Sequence, residues 1–257
     1  MEKIGIIGYQ GFVGSAFYEV FSACTKCSVH GIGKLNIEQA RMEDYDLLIN
    51  CNGNSSKQVA EKDPQRDFQM NAGTTLDFLL NFKYGAYIHI STCEVYHDKS
   101  SQKTTQENAK IESLALSNYG FSKYVAEQAV KRFARRWLIL RLSGMVGKNM
   151  KKGPAYDIIS LQKLFISEKS KYQYIGTVDV ARIAKTLVDM GKWGETYNIV
   201  GKGNIKLSEF ARIAGVALKE TGEEVQVFDI STEKIEKEIG YCPTSAESVA
   251  RHVKNCR

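Results

Sequence analysis

Three sets of residues in this chain could do chemistry together. Gly8, Gly11 and Gly14 follow the apolar run Ile4–Ile7. Glycine permits a tight turn and lets an anion approach the backbone, and the amides opening the next helix are free to bind that anion. Ser91 and Thr92 end a second apolar run, Tyr87–Ile90. Tyr119 and Lys123 are four apart, so on a helix they share one face. A phenol beside an ammonium has a stabilised phenolate and works as acid or base near neutral pH. A strand-end hydroxyl, Thr92, would hydrogen-bond the substrate oxygen whose proton the phenol takes. With a pyrophosphate on the glycine turn, this is the layout of a nicotinamide site that moves hydride and proton together. It points to an oxidoreductase, or to an enzyme that oxidises its substrate transiently.

The elements that must position these groups alternate. Strands are expected at Ile4–Ile7, Ser28–Gly33, Leu35–Ile37, Asp46–Cys51, Tyr87–Ile90 and Leu138–Leu142. Helices are expected at Phe12–Ser22, over most of Ser56–Leu80, and at Tyr119–Arg136. This alternation predicts an α/β fold with a Rossmann-type, doubly wound parallel sheet and helices on both faces. After Gly144 the pattern loosens. A basic loop over 147–156 precedes helices at Asp157–Ser167, Val178–Met190 and Leu207–Thr221, and strands at Tyr172–Ile175, Thr196–Val200 and Val225–Ile230. The tail from Thr232 alternates charged helix and turn, broken at Cys242-Pro243-Thr244. We divide the chain into an NAD(P)-binding domain, 1–144, completed by parts of the C-terminal half, and a smaller α/β substrate-binding lobe, 145–257.

The glycine turn, Gly8-Tyr9-Gln10-Gly11-Phe12-Val13-Gly14, is placed directly between a strand and a helix. That context makes Gly8, Gln10, Gly11, Phe12, Val13 and Gly14 cofactor-binding candidates. Asn52, in the polar loop after the Asp46–Cys51 strand, joins them. At the end of the second strand an acid would select NAD, whereas a base leaves room for the 2′-phosphate of NADP. The corner reads Ile32-Gly33-Lys34 and has no acid, so Lys34 favours NADP over NAD. The competing reading sends Lys34 to solvent and gives the ribose to Glu38 or Asn36.

Bulk properties fit a compact enzyme. The chain has 257 residues, 43% of them apolar, and a net charge of +6, which suits an anionic small molecule. No apolar run approaches the ~20 residues of a membrane span. The start, Met1-Glu2-Lys3, lacks a secretory pattern, so a cytoplasmic location is expected. The six cysteines, Cys24, Cys27, Cys51, Cys93, Cys242 and Cys256, are then expected as free thiols. Cys24 and Cys27 form a CxxC without a second Cys/His pair at ligand spacing, so no metal is expected. Lys131, Arg132, Arg135 and Arg136 read as a solvated helix terminus, and no aromatic set supports nucleic-acid binding. His89 reads as a satisfied core histidine and His97 as a rim residue. Arg141 is either structural or reaches a phosphate, and Arg182 pairs with Asp179.

Several of these segments together resemble the extended short-chain dehydrogenase/reductases, the nucleotide-sugar epimerases, dehydratases, decarboxylases and 4-ketoreductases. They are Gly8–Gly14, Ile90-Ser91-Thr92-Cys93-Glu94-Val95-Tyr96, Tyr119-Gly120-Phe121-Ser122-Lys123 and Leu140-Arg141-Leu142-Ser143-Gly144. The later Tyr174-Ile175-Gly176-Thr177-Val178-Asp179-Val180-Ala181 and Tyr197-Asn198-Ile199-Val200 fit the same pattern. The resemblance implies NAD or NADP, a nucleotide-diphosphate sugar, and Thr92, Tyr119 and Lys123 as the catalytic set. It implies Glu94 as a group acting at sugar C5 or supporting a keto intermediate, and Asn71 as structural or as holding a relay water. It also implies a homodimer built on Ser56–Leu80 and Tyr119–Arg136. Cys93 stands where dehydratases carry an acidic Asp, and Ser143 and Gly144 stand where many relatives touch the sugar nucleotide with Asn. These three are the substrate-contact candidates. The resemblance leaves open a recycling epimerase or dehydratase and an NADPH-dependent 4-keto-sugar reductase. A non-catalytic NAD(P) sensor is the reading from another class, and such relatives usually lose the Tyr or the Lys.

Overall fold

The computed structural model describes residues 2–255. In chain order the elements are β1 Glu2–Ile7, α1 Phe12–Ser22, β2 Cys27–Ile32, α2 Ile37–Arg41, β3 Asp44–Asn50, α3 Lys57–Lys62, α4 Pro64–Phe68, α5 Thr74–Asn81, β4 Lys83–Thr92, α6 Asn118–Phe133, β5 Trp137–Leu142 and β6 Gly144–Val146. They continue with α7 Pro154–Ile159, β7 Lys171–Tyr172, β8 Tyr174–Gly176, α8 Thr177–Asp189, β9 Glu195–Ile199, β10 Ile205–Lys206, α9 Leu207–Ala214, α10 Glu233–Ile239 and α11 Ser245–Asn255. A π-helical turn, Gln69–Gly73, joins α4 to α5.

Six strands form a parallel sheet in the order β2-β1-β3-β4-β5-β9. Side-chain alternation loads both faces. Ile4, Ile6, Leu47, Ile49, Ile88 and Ile90 pack one face against Phe17 and Phe21 of α1 and Val180 and Leu187 of α8. Ile7, Leu48, Tyr87 and Ile139 pack the other against Phe78 of α5 and Val130 of α6. The chain runs from β1 outward to β2, then crosses back to β3 on the other side of β1. That reversal opens a crevice at the carboxyl ends of β1 and β3, where open α/β sheets bind ligands. Two small sheets, β6 with β8 and β7 with β10, carry a separate apolar core around Tyr172, Tyr174, Phe210 and Phe228.

Five expected elements differ. Tyr172–Ile175 is not one strand: Gln173 separates β7 from β8, which belong to different small sheets. Leu35–Ile37 is a turn running into α2, not a strand. Asn36 explains it: its Oδ1 accepts from the Gly33 amide at 2.8 Å and its Nδ2 donates to the Gly31 carbonyl at 2.9 Å, closing the chain on itself. Val225–Ile230 touches Lys171 through one bridge at Val227 and is otherwise irregular. The helix expected over Leu207–Thr221 stops at Ala214, because Gly215 adopts the left-handed conformation, φ +67°. The helix expected over Asp157–Ser167 starts earlier, at Pro154, and ends at Ile159. The basic cluster is not wholly solvated: Lys131 lies over the Trp137 ring and Arg136 over Trp193. Five cysteines are free thiols, and Cys256 lies outside the described residues. Among the described residues no helix is long and apolar enough to cross a membrane.

Candidate active site

The glycine turn is built by exclusion of side chains. Gly8 has φ +75°, and a Cβ there would sit 3.2 Å from the Asn52 amide nitrogen and the Cys51 carbonyl. The Gly11 amide closes the turn on the Gly8 carbonyl at 2.9 Å. A Cβ on Gly14 would fall 2.1 Å from that same oxygen, so α1 can approach the β1 end this closely only without one. Gly11 caps α1 with no side chain, and the first intrahelical bond is donated by Ser15. The amides of Phe12, Val13 and Gly14 therefore point from the helix start without helical partners, beside Asn52. Gln10 is exposed, and its amide reaches the Tyr9 hydroxyl. The Tyr9 ring covers Gly31 and Gly33 at the β2 end, where side chains would collide with it or crowd it. Lys34 is exposed there and makes no ion pair among the described residues, while the Asn36 amide is spent on backbone.

At the next strand ends a second cluster forms. Thr92 closes β4, and its Oγ1 accepts the Glu94 amide at 3.2 Å. Tyr119 stands in the first turn of α6, which Ser117 caps by accepting the Gly120 amide. Gly120 sets the approach, since a Cβ there would lie 2.5 Å from the Glu94 carbonyl oxygen. The helix thus rests on the chain just past Thr92, which puts the Tyr119 phenol and the Thr92 hydroxyl at the same strand end. One turn on, Lys123 Nζ donates to the Ile90 carbonyl at 2.6 Å.

The electrostatics correct one expectation. Burial pushes the Tyr119 phenol well above its ordinary range; Glu94, Asp67 and Cys93 push the same way, and the Thr92 hydroxyl opposes them. The Lys123 ammonium is directed at the Ile90 carbonyl. Burial lowers Lys123 itself to about 8, against the pull of Glu127, Asp67 and Cys51.

Glu94 is clamped rather than free. Lys57 Nζ lies 2.5 Å and Lys99 Nζ 3.2 Å from its two oxygens, and both ammoniums sit over the Phe228 ring. Cys93 corrects a second expectation. It is fully buried in the core of the small sheets with its thiol on the Arg141 carbonyl, so its side chain lines no open surface. Ser143 and Gly144 follow β5, and the Ser143 Oγ is buried without a partner among the described residues. Arg141 is structural: its guanidinium is bidentate on Glu127, at 3.0 and 2.7 Å, and also donates to the Tyr96 hydroxyl. His89 is buried as expected but not satisfied, since neither ring nitrogen has a partner among the described residues. His97 is exposed, with its Nδ1 near the Ala115 carbonyl. Arg182 meets Asp179 at 4.0 Å, and Arg251 meets the same carboxylate more closely.

Sequence reasoning missed a buried hub at Asp67. Its carboxylate accepts from Asn54 at 2.6 Å, Asn71 at 2.9 Å and Ser122 at 2.6 Å. Asn71 thereby becomes part of a tie between the π-turn and α6, with its own Oδ1 left unpaired. The only local signals were the Asp63-Pro64 helix start and the Ser122 between Tyr119 and Lys123.

A nicotinamide dinucleotide fits these residues. The uncapped α1 amides suit a pyrophosphate, the glycines leave backbone exposed to it, and the unpaired Ser143 and Asn71 oxygens lie on elements flanking the Thr92–Tyr119 pair. Among the described residues no cluster of His, Cys, Asp and Glu could hold a metal.

Solved structures share this whole architecture. A mutant of UDP-glucuronic acid 4-epimerase from Bacillus cereus, in complex with UDP-4-deoxy-4-fluoro-glucuronic acid and NAD, superposes with a TM-score of 0.84 at 19% identity, covering 100% of both chains. RMD from Pseudomonas aeruginosa, complexed with NADPH, gives 0.82 at 20% identity over 99% of each chain. The dTDP-4-dehydrorhamnose reductase of Bacillus anthracis, in complex with NADP, gives 0.82 at 19% identity over 99% of this chain and 98% of its own. At such identities the likeness establishes the fold. No curated protein matches by sequence. Residues 4–200 match the NAD dependent epimerase/dehydratase family, and with the glycine turn, the Thr92–Tyr119–Lys123 cluster and the sheet order already in place, the chain belongs to that family.

Proposed function

We propose that the chain is a tyrosine-dependent enzyme that interconverts a hydroxyl and a ketone on a nucleotide-diphosphate sugar. The packing of the α6 start, with Tyr119 in its first turn, against the chain just past Thr92 carries this reading. Gly8, Gly11, Phe12, Val13, Gly14 and Asn52 would hold NAD or NADP, with Lys34 at the adenosine end. The cofactor supplies or accepts hydride at its nicotinamide ring. Tyr119 exchanges the proton at the substrate oxygen, and Thr92 donates a hydrogen bond to that oxygen as charge builds on it. Lys123 supplies positive charge one helical turn away. Glu94, as a base at C5, would first have to leave Lys57 and Lys99, and the buried Cys93 is a poor acid. Chemistry confined to one carbon, sugar epimerisation through a keto intermediate, is therefore favoured over elimination.

A second reading, an NADPH-dependent 4-keto-sugar reductase, rests on a specific observation: no acid stands at the β2 end and Lys34 is exposed there. Within residues 145–257, the small sheets and the helices packed on them then serve as the substrate lobe, while α8 and β9 complete the dinucleotide-binding sheet. We also propose a homodimer on the α4–α5 and α6 face, where Phe68, Leu80, Phe121 and Phe133 are exposed and Phe68 stacks on Phe121.

The test has two parts. Protein denatured directly after purification is assayed for released NAD(P); stoichiometric release supports the recycling epimerase and an empty site the reductase. Tyr119→Phe is then compared with wild type on UDP- and dTDP-hexoses. A loss of about 10²–10⁴-fold in turnover with dinucleotide affinity nearly unchanged is expected. Unchanged turnover removes Tyr119 from the chemistry, and dinucleotide binding with no sugar reaction at all supports a sensor.

A further inference from the structure

We propose that Cys24 and Cys27 are a redox-active dithiol that exchanges with small-molecule disulfides and closes to an intramolecular disulfide. Cys24 follows the end of α1, and Cys27 opens β2. The Cys27 amide donates back to the Cys24 carbonyl at 3.2 Å, folding the four residues into a tight turn. That turn brings the two sulfurs to 2.7 Å, with Cys27 as the donor. Bond formation therefore needs no rearrangement of the flanking helix and strand.

The two thiols are not equivalent. Cys27 packs partly against the main core, and both thiols are half-buried. The hydrogen bond from Cys27 and the Lys26 backbone lower Cys24, and Lys185 on α8 adds in the same direction. Burial pushes Cys27 up to about 11, with Cys24 and Glu2 on β1 adding to it. This is the division of labour of an attacking and a resolving thiol. The Cys24 thiolate attacks one sulfur of a disulfide RSSR, forming a Cys24–SR mixed disulfide and releasing RS⁻. Cys27 loses its proton to solvent, attacks the Cys24 sulfur, and expels the second RS⁻. Both electrons pass from the dithiol to RSSR, which leaves as two RSH. Cys51, Cys93 and Cys242 are all held above the ordinary thiol range by burial and do not compete.

The sequence makes the product easy to see. Trypsin cuts after Lys26, between the cysteines, so a bridge joins segments 4–26 and 27–34. The reduced full-length protein is equilibrated with oxidised glutathione, quenched in acid, alkylated and digested. The linked pair of segments is expected, and reduced glutathione should separate them. Cys27→Ser should trap glutathione on Cys24, and Cys24→Ser should leave Cys27 unmodified. Glutathione on wild-type Cys24 without linkage, linkage only after unfolding in urea, or no modification of either thiol would each overturn the proposal.

Discussion

Lys123 gives the sharpest test of the site's electrostatics. Its side chain is 5% exposed, and burial lowers it from 10.5 to about 8. Below about pH 8 the lysine is charged in both folded and unfolded chains, and the folded state bears the full cost of burying that charge. Between about 8 and 10.5 the unfolded chain binds the proton and the folded chain does not, so stability rises with pH. At about 1.4 kcal/mol per unit, the whole window is worth about 3 kcal/mol. Lys123→Met removes this titration while keeping most of the side-chain volume. Urea unfolding of wild type and variant, without dinucleotide, should therefore show wild type gaining on the variant by about 2–3 kcal/mol between pH ~7 and ~10. The thiols and phenols that titrate in the same range are common to both proteins and cancel in the difference. An exposed control, Lys110→Met, should show no such gain. Parallel stability curves for wild type and Lys123→Met would mean that Lys123 is solvated in solution, and the reading of its surroundings would fall.

Three further perturbations follow from contacts already described. Gly14→Ala forces a methyl against the Gly8 carbonyl, a backbone atom that cannot swing away; dinucleotide affinity by calorimetry should fall at least tenfold, with a stability loss of about 1–3 kcal/mol. Arg141→Met leaves Glu127 buried and uncompensated and should cost about 3–5 kcal/mol by urea unfolding; adding Glu127→Gln should recover part of it, and equal losses in the single and double variants would contradict the pairing. Phe121→Glu places a charge beside Phe68 on the proposed dimer face and should shift the sedimentation profile to monomer, whereas an unchanged profile would move the interface elsewhere.

The sequence makes the glycine turn and the Thr92, Tyr119 and Lys123 placements legible for one reason. Each sits at a fixed offset from an element whose period is readable locally. The Asp67 hub was not readable, because Asp67 and Ser122 lie 55 positions apart and only the packing of α4 on α6 brings them together. Gly120 looked like one glycine of a motif, yet its task is to admit the Glu94 carbonyl. Leu35–Ile37 failed for a different reason. Its apolar alternation is that of a strand, but the side chain of Asn36 supplies the local backbone with partners that a ladder would otherwise provide. Cys93 and Glu94 share a motif with Thr92, and the 3-10 turn after β4 sends the first into the core and the second to Lys57 and Lys99. Motif membership did not determine where either side chain would point.

What aligns Tyr119 with Thr92 is the polar face of α6. Apolar packing alone would tolerate a slide of this helix along the sheet, because the hydrophobic effect has no direction. Positions 119, 123 and 127 recur every four residues on the face toward β4 and β5, and the last two make directional bonds. Lys123 meets the Ile90 carbonyl, Glu127 accepts from Ser91 at 2.6 Å and from Arg141, and Tyr119 one turn before Lys123 is thereby held at the Thr92 end of β4. A slip of one turn that carried Lys123 to the place of Glu127 would set two buried cations against each other. The opposite slip would put the Glu127 carboxylate against the Ile90 carbonyl and leave Arg141 unpaired. Either error costs several kcal/mol, more than the small apolar difference between registers. Asn198 extends the same constraint beyond the helix: it accepts from Tyr96 and donates to the Thr105 and Ser231 carbonyls, tying the loop after Thr92 to β9 and to the chain entering α10. The charged core is thus the reason a phenol and a hydroxyl from distant parts of the chain meet at one strand end.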